Sequence, residues 1–291
     1  MRYITPVLLM ALVQGCSSSV IADKRSPAVD ATQRFTLPHQ VVETSGLAKT
    51  GDTWWTINDS GDKPRLYAFS DKTGELIHKL RLRGVNNRDW EDLAQDQRYL
   101  YIADTGNNSG KRKDLSIHKV EHRALLEKKR VTPTTLQIRY ADYDEQTRGG
   151  RKAHNVDCEA IVIVHGKLWL FTKNRGDRHS RLYQADINAR DLQTLAPVGE
   201  YPVEGLITAA DYNAQTGELA LLGYGYGSKF GGAFIWRVPV INGLPDWEQA
   251  RRVLINRPGQ WEAIYWQGDN RVVVSAEGSM FGTQELADIE L

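Results

Sequence analysis

The sequence feature that most constrains the fold is an internal repeat of short apolar strands. In each of five copies, a polar residue introduces a short apolar strand, and a turn leads into a second, continuously apolar strand. Third strands such as Arg65–Phe69 and a more polar outer strand follow. The copies are spaced by about fifty residues, with one interval near seventy, close to the roughly 40 to 50 residues of a four-stranded blade. The repeat therefore predicts an all-β fold, a β-propeller of four-stranded blades. Its opening residues are Ser45, Glu91, Glu159, Thr208 and Glu262.

The repeat favours five blades. A sixth would require an extra unit within the long segment from Glu91 to Asn155. The last copy runs out of chain before it has four strands, and the strand Gln33–Leu37 precedes the first copy. We predict that this N-terminal strand completes the last blade, which would remove exposed sheet edges. A β-sandwich would also give many short strands, but it would not explain the recurring opening motif. The stretch from His122 to Arg130 could form a short helix in a loop.

The N-terminal residues have the pattern of a processing segment. Arg2 precedes an apolar stretch, residues 4–13, that is too short to span a bilayer. The stretch ends in Val13-Gln14-Gly15-Cys16, which resembles the lipobox of bacterial lipoproteins. The resemblance implies a signal peptide over 1–15 and a lipid, such as palmitate, on Cys16. An ordinary secretory signal with an incidental Cys16 is the alternative.

The lipobox resemblance also sets the expected domain organisation and location. A small, polar tract over 16–30 is typical of a flexible tether, and residues 31–291 would form one propeller domain. Ser17 directly after the lipidated cysteine implies sorting to the outer membrane, with the domain facing the periplasm. The lipid anchor would make the membrane one partner of the chain.

The cysteine count and the charge balance bear on disulfides and on nucleic-acid binding. Without the signal peptide and Cys16, only Cys158 remains, so no internal disulfide can form. The 37 lysine and arginine residues balance the 36 aspartate and glutamate residues, and the run Lys128-Lys129-Arg130 stands alone. We therefore expect no nucleic-acid surface and interpret the short basic run as a solvated loop.

Candidate site residues follow from the geometry of an antiparallel blade. The start of the first strand lies beside the end of the second, so the polar residues at both positions should meet on one face near the axis. A small ligand or an envelope protein could bind there. The predicted ligand and channel residues are Asn58, Asp59, Glu91, Asp104, Glu159, Lys173, Asp211, Tyr224, Glu262 and Glu277.

Several carboxylates around one channel would repel each other unless a cation intervenes. Lys173 is the only basic residue in the set, which leaves room for a bound ion, and oxygen ligands suit Ca²⁺ or Mg²⁺ better than zinc. The predicted metal ligands are Glu91, Asp104, Glu159 and Glu262. Alternatively, a polar residue at an inner-strand start can serve only to bind backbone amides of the adjacent blade.

Three loops and the lack of two catalytic motifs bear on which reaction the protein could catalyse. The loop Lys173–His179 is basic and could receive an anionic substrate or a partner, and Gly223–Lys229 is interpreted as a flexible rim loop bearing aromatic residues. The loop Asp104–Asn108 has the composition of a tight turn. There is no Gly-x-Ser-x-Gly elbow and no His-Glu-x-x-His pair, and Cys158, between two acids, is interpreted as a packing residue.

The blade motifs resemble known bacterial propellers. The Glu-Asp-Leu and Glu-Ala-Ile openings, the loops after Asn58 and Asp104, and the closing Ser275–Gly278 are similar to those of bacterial lipoprotein propellers and of the phytase-like domain with esterase-like activity. A more distant likeness is to regucalcin and the six-bladed gluconolactonases, which hold a channel metal with glutamate, asparagine and aspartate. The resemblance implies a metal at the channel.

Two functions are compatible with the sequence. The first is an envelope-tethered propeller that binds a small ligand or a protein partner at the acidic channel face, with a bound divalent cation. The alternative is a metal-dependent hydrolase of a lactone or phosphate ester, in which the cation polarises the scissile group and activates a water. In that case Glu91, Glu159 or Glu262 would act as ligands or base.

Overall fold

A computed structural model describes residues 26–225, 232–280 and 282–291. Five small sheets arranged in a ring form a five-bladed β-propeller with 54% strand and 4% helix. The predicted fold class and the favoured blade count are confirmed. The predicted signal peptide, Cys16 and the first part of the predicted tether lie outside the described residues, as does part of the predicted rim loop, 226–231. No helix within the described ranges is long and apolar enough to cross a membrane.

The strands in chain order are β1 (Ala28–Val29), β2 (Thr32–Thr36), β3 (Thr44–Thr50), β4 (Thr53–Asn58), β5 (Arg65–Ser70), β6 (Leu76–Leu82), β7 (Trp90–Gln95), β8 (Tyr99–Asp104), β9 (Leu115–Glu121), β10 (Arg130–Val131), β11 (Thr134–Tyr140), β12 (Cys158–Val164), β13 (Lys167–Thr172), β14 (Ser180–Asp186), β15 (Gln193–Leu195), β16 (Pro197–Tyr201), β17 (Leu206–Asn213), β18 (Glu218–Tyr224), β19 (Ala233–Ile241), β20 (Leu244–Pro245), β21 (Arg251–Ile255), β22 (Trp261–Trp266), β23 (Arg271–Ala276) and β24 (Glu285–Glu290). Two short helices, α1 (His122–Leu125) and α2 (Tyr143–Gln146), and a 3₁₀ turn (Trp247–Gln249) lie in the connections.

From the axis outward, the blades are β3-β4-β5-β6, β7-β8-β9-β11, β12-β13-β14-β16, β17-β18-β19-β21 and β22-β23-β24-β2. The fifth blade is completed by the N-terminal strand, since β2 pairs antiparallel with β24 from Thr32 opposite Asp288 to Thr36 opposite Glu285. This confirms the predicted closure of the ring. The long segment between Glu91 and Asn155 contains no sixth blade, and α1 ends at Leu125, well before Arg130.

Short parallel strands cover three outer edges. Strand β10 runs along β6 of blade 1, β15 along β11 of blade 2, and β1 along β21 of blade 4. Each of these segments comes from a connection outside the blade that it covers. They pair backbone groups that an open edge strand would otherwise present to another chain.

The apolar core lies between the blades. The described buried apolar residues form five clusters, and each cluster is shared by two neighbouring blades. The cluster between blades 5 and 1 has 7 buried members, against 13 to 16 in the other four. The ring is therefore closed at the interface with the smallest apolar contribution.

Polar contacts reinforce that interface. Arg34 on β2 donates from Nε to Asp288 Oδ2 of blade 5 at 3.0 Å and from Nη1 to Asp71 Oδ1 of blade 1 at 2.7 Å. Phe35 packs edge-on against Phe69 of blade 1, with ring centroids 6.0 Å apart. One strand from the N-terminus thus connects the last blade to the first through both charge and apolar contact.

We predict that Arg34→Met lowers the free energy of unfolding by about 1–3 kcal/mol, because it leaves two part-buried carboxylates without a shared partner. The control is Lys72→Met at the exposed pair with Asp52, where both side chains are at least 74% exposed and the change should be within about 0.5 kcal/mol. Urea unfolding of both variants measures the difference. Equal losses in the two variants would show that the Arg34 contacts do not stabilise the ring.

Candidate functional site

The opening residues of the repeat lie at a β-bulge in every blade. The register of the inner strand against its neighbour shifts at the same place five times, between Ser45 and Ala48, Trp90 and Leu93, Cys158 and Ala160, Ile207 and Ala209, and Trp261 and Ala263. A bulge leaves a residue outside the ladder and re-aims its side chain. Glu91, Glu159, Thr208 and Glu262 all lie within these bulges, which explains why polar residues recur at that position.

Carboxylates from three blades meet near the bulges. Asp59, Asp89 and Glu91 each place an oxygen within 4.8 Å of the others, and so do Glu91, Asp157 and Glu159. Glu91 belongs to both groups and is 3% exposed. Its Oε1 and the Oδ1 of Asp59 are buried without a hydrogen-bond partner among the described residues. We refer to these five residues as the carboxylate cluster.

Gly106 provides the space beside Glu91. A Cβ built at Gly106 would overlap Glu91 Oε1 and lie 2.5 Å from Asp89 Cγ. The Gly106 N–H also donates to the Asp89 carbonyl at 3.1 Å. A side chain at this position of the loop 104–108 would therefore fill the volume in front of the unpartnered oxygen.

Lys173 supplies positive charge on one side of the cluster. Its Nζ donates to Glu159 Oε2 at 2.8 Å and lies 5.3 Å from the centroid of the Tyr224 ring. Burial opposes the charge on Lys173, but Glu159, Tyr224 and Glu262 outweigh it and raise the pKa of the ammonium group. The surrounding acids therefore favour the charged form of Lys173, and among the described residues its ammonium group forms an ion pair with Glu159 alone.

Three acidic groups at the channel face, Asp59, Glu91 and Glu277, resist ionisation. Burial, with the nearby charges of Asp89 and Glu262, raises the pKa of Asp59 to about 7. Burial, with Glu262 and Asp59, raises the pKa of Glu277 to about 9. Burial and Glu159 raise the pKa of Glu91 well above its usual range. Burial thus favours the protonated form of these carboxyl groups, and a compensating cation would favour the ionised form.

Seven of the ten predicted site residues are brought together around the cluster: Asp59, Glu91, Glu159, Lys173, Tyr224, Glu262 and Glu277. Asn58 lies beside them, but its side chain stabilises a loop, since its Nδ2 donates to the Gln40 carbonyl at 2.9 Å. Two others, Asp104 and Asp211, are engaged elsewhere.

Asp104 is neutralised within its own blade. Arg112 Nη2 donates to Asp104 Oδ1 at 2.8 Å, and His118 Nε2 lies 3.8 Å from Asp104 Oδ2. Asp104 belongs to neither acidic group of the described residues. It was predicted as a metal ligand, but its contacts indicate that it orients Arg112 and the loop after β8.

Asp211 lies towards the opposite end of its strand, opposite Ala220, while Leu206 and Tyr224 pair at the channel face. It accepts hydrogen bonds from the backbone N–H groups of Trp266 at 2.7 Å and Tyr212 at 2.8 Å. Asp92 binds the N–H of Ile161 in the next blade at 2.9 Å. Both residues therefore bind backbone amides of the adjacent blade, which is the alternative role predicted for polar residues of the inner strands.

Sequence reasoning did not place Asp89 and Asp157 in the site. Each precedes an opening glutamate by two residues, in Asp89-Trp90-Glu91 and Asp157-Cys158-Glu159. The recurring Asp-x-Glu was the available signal. Cys158, between the two acids of the second motif, is fully buried, and burial raises its pKa to about 12. It packs in the core rather than acting as a nucleophile.

A cavity of about 630 Å³ lies next to the cluster. Its described lining consists of Asn108, Arg151, Lys152, Arg175 and Leu206. Arg175 connects the cavity to the cluster, because its Nη1 donates to Asp157 Oδ2 at 2.5 Å and its Nη2 to Asn108 Oδ1 at 2.7 Å. The described lining is therefore cationic, and Arg175 links it to the acidic cluster through Asp157.

No family model matches the chain, and no curated protein matches it. Among solved structures, it is similar to the major allergen Mala s 1 of Malassezia sympodialis, with 10% identity, a TM-score of 0.50 and coverage of 86% of this chain and 92% of that chain. It is also similar to an oxidoreductase of Thermus thermophilus described as a glucose dehydrogenase, with 11% identity, a TM-score of 0.50 and coverage of 90% and 100%.

A third similar structure, Kuenenia stuttgartiensis hydrazine synthase, has 12% identity and a TM-score of 0.42, and this chain spans 59% of its length. The structural neighbours include β-propellers. At these identities the likeness shows the fold alone.

The raised carboxyl pKa values predict how stability depends on pH. Because the folded forms of Asp59 and Glu277 keep their protons above the pH at which the unfolded chain loses them, stability should fall as pH rises from about 4 to 9. In buffer free of divalent cations, we expect a loss on the order of 6 kcal/mol between pH 5 and pH 8.

The measurement is urea unfolding across that pH range. The double variant Asp59→Asn with Glu277→Gln should flatten the profile, whereas Asp52→Asn, at an exposed carboxylate, should leave the slope unchanged. A profile that rises with pH would contradict the assigned burial of these groups.

Proposed function

We propose that the protein is a binding propeller that holds a divalent cation in the carboxylate cluster and uses it to bind a small ligand at the channel face. The observation that carries this proposal is the Glu91 carboxylate, whose buried Oε1 has no partner among the described residues and which places an oxygen within 4.8 Å of acids from two further blades. A buried carboxylate oxygen without a partner carries the full cost of desolvation. A cation would remove that cost.

The donor set favours a hard ion. All five members of the cluster offer carboxylate oxygens, and Ca²⁺ and Mg²⁺ prefer such ligands. Histidine and thiol ligands, which zinc prefers, are missing from both acidic groups of the described residues. Glu91 would be shared, with Asp59 and Asp89 on one side and Asp157 and Glu159 on the other.

The cavity beside the cluster favours an anionic ligand. Arg151 and Lys152 are exposed in its lining, and Arg175 is part-buried against Asp157. A carboxylate or phosphate group there could contact an arginine and a cation at once. The arginine forks suit such planar or tetrahedral oxyanions.

We expect stoichiometric binding of Ca²⁺ or Mg²⁺, measured by isothermal titration calorimetry on protein stripped of divalent cations. Glu91→Gln removes the shared ligand and should weaken binding at least tenfold, and Glu159→Gln should also weaken it. The control is Glu218→Gln, at a carboxylate paired with Arg237 in blade 4, which should bind as the unmodified protein does. No binding by the folded, unmodified protein would overturn the proposal.

A metal-dependent hydrolase of a lactone or phosphate ester is the second candidate. The feature that favours it is the large cavity next to the carboxylates, which leaves room for a substrate and an attacking water. A cation would polarise the scissile group, and a cluster carboxylate would accept the proton of the water. Cation-dependent turnover that Glu91→Gln abolishes would favour this candidate over a binding protein.

We further propose that the domain is tethered to the outer membrane through a lipid on Cys16 and faces the periplasm. The support is the sequence Val13-Gln14-Gly15-Cys16 after an apolar stretch. In a bacterial host, the full chain should take up labelled palmitate and fractionate with membranes. Cys16→Ser should abolish labelling and release the protein, whereas Ser17→Ala should retain the label. Labelling that persists in Cys16→Ser would contradict a lipid at this residue.

A further inference from the structure

The outer edge of blade 1 carries a basic groove of about 610 Å³. Its lining consists of Lys63, Arg65, Lys79, Arg81, Lys129 and Arg130. We refer to it as the blade-1 groove. The chain as a whole has a formal net charge of +1, so this concentration of one sign is local.

Strand register brings three arginines of the groove into one row. Arg65 on β5 lies opposite Arg81 on β6, and Arg130 on β10 lies beside Arg81 on the other side. Lys79 is two residues from Arg81 on β6, so its side chain emerges on the same face. Like charges that face each other across strands are destabilising. The row of like charges therefore destabilises the folded protein, which a solvated lysine loop would not do.

Neighbouring carboxylates do little to remove this repulsion. Asp62 Oδ1 lies 3.6 Å from Arg65 Nε, and its oxygens also accept from the Tyr67 hydroxyl at 2.5 Å and the Lys63 N–H at 2.6 Å. In the described part of the chain, no carboxylate lies within ion-pair distance of Arg81, Arg130 or Lys129.

The backbone holds the row in place. The Arg81 N–H donates to the Lys129 carbonyl at 3.1 Å, and the Arg83 N–H donates to the Val131 carbonyl at 2.8 Å. His78 Nε2 lies 2.8 Å from the Lys128 carbonyl oxygen. The run Lys128-Lys129-Arg130, which the sequence suggested was a solvated loop, is thus attached along the edge of blade 1. Strand β10 thereby places Arg130 beside Arg81, and both residues line the groove.

We propose that the blade-1 groove is a binding site for an oxyanion with several negative charges, of the phosphate-bearing class. Neighbouring arginines can hold such a group through paired N–H donors, and an arginine fork matches phosphate oxygens better than a lysine does. The bound anion would also relieve the repulsion within the row. The site shares no residue with the carboxylate cluster, so it stands independently of the channel cation.

The test uses pyrophosphate as the probe on the full chain carrying Cys16→Ser, stripped of divalent cations, with ionic strength held constant by sodium chloride. Saturating pyrophosphate should raise Tm by about 5 °C, since a ligand that binds only the folded state stabilises it. The variant Arg81→Gln with Arg130→Gln should lose most of this shift. Without pyrophosphate its Tm should equal or exceed that of the parent, because repulsion in the row is reduced.

Two controls separate the groove from other basic sites. Arg139→Gln removes an exposed arginine on β11 that donates to Thr194 outside the groove, and it should keep the full shift. Arg151→Gln with Lys152→Gln alters the channel cavity and should also keep it. Loss of the shift only in the channel variant, an unchanged shift in Arg81→Gln with Arg130→Gln, or no shift in the parent would each overturn the proposal.

A second arm distinguishes the source of the phosphate. Co-sedimentation with vesicles of phosphatidylglycerol, compared with phosphatidylcholine alone, tests lipid headgroups. Binding to the anionic vesicles that is lost in Arg81→Gln with Arg130→Gln identifies the headgroup as a ligand of the groove. Pyrophosphate binding without vesicle binding assigns the groove to a free phosphate compound.

Discussion

The pairing of β2 with β24 is the contact on which the rest of the propeller depends. Each blade buries its apolar faces only against its neighbours, so the ring needs a fifth interface, and that interface has the fewest buried apolar residues. A strand from the chain start completes the last blade, and Arg34 bridges Asp288 and Asp71 across the junction. The carboxylate cluster draws residues from blades 1, 2 and 3, so its geometry depends on how neighbouring blades pack around the ring.

Two features produce the channel site: the β-bulge that recurs in each blade, and the excess of acidic over basic side chains beside it. A bulge at the start of each inner strand turns one residue out of the ladder, and three of the five blades place a glutamate there. One buried ammonium, Lys173, is paired with Glu159. Glu91 and Asp59 retain unpartnered oxygens, and burial raises their pKa values. Uncompensated charge of this kind is unfavourable in the folded state, and a bound cation would reverse that effect.

Much of the fold could be predicted because a blade is a local unit. Five opening residues, their spacing and the leftover strand near Phe35 were enough for the blade count and the closure. The short covering strands β1, β10 and β15 could not be foreseen, since two or three residues carry no periodic pattern. The run Lys128-Lys129-Arg130 is exposed, as predicted, but its pairing along blade 1, with Arg130 beside Arg81, could not be foreseen for the same reason.

The sequence by itself determined that the chain forms repeated four-stranded units and that acidic residues recur at one position in them, because both are properties of short stretches. Tertiary structure decided which of those acids meet. Asp104 and Asp211 have the same residue type as Asp59 and Asp89, but Arg112 neutralises one and backbone N–H groups hold the other. Asp89 and Asp157 enter the cluster instead. The distance between side chains from different blades depends on how neighbouring blades pack around the ring, and that packing is not encoded within a single repeat.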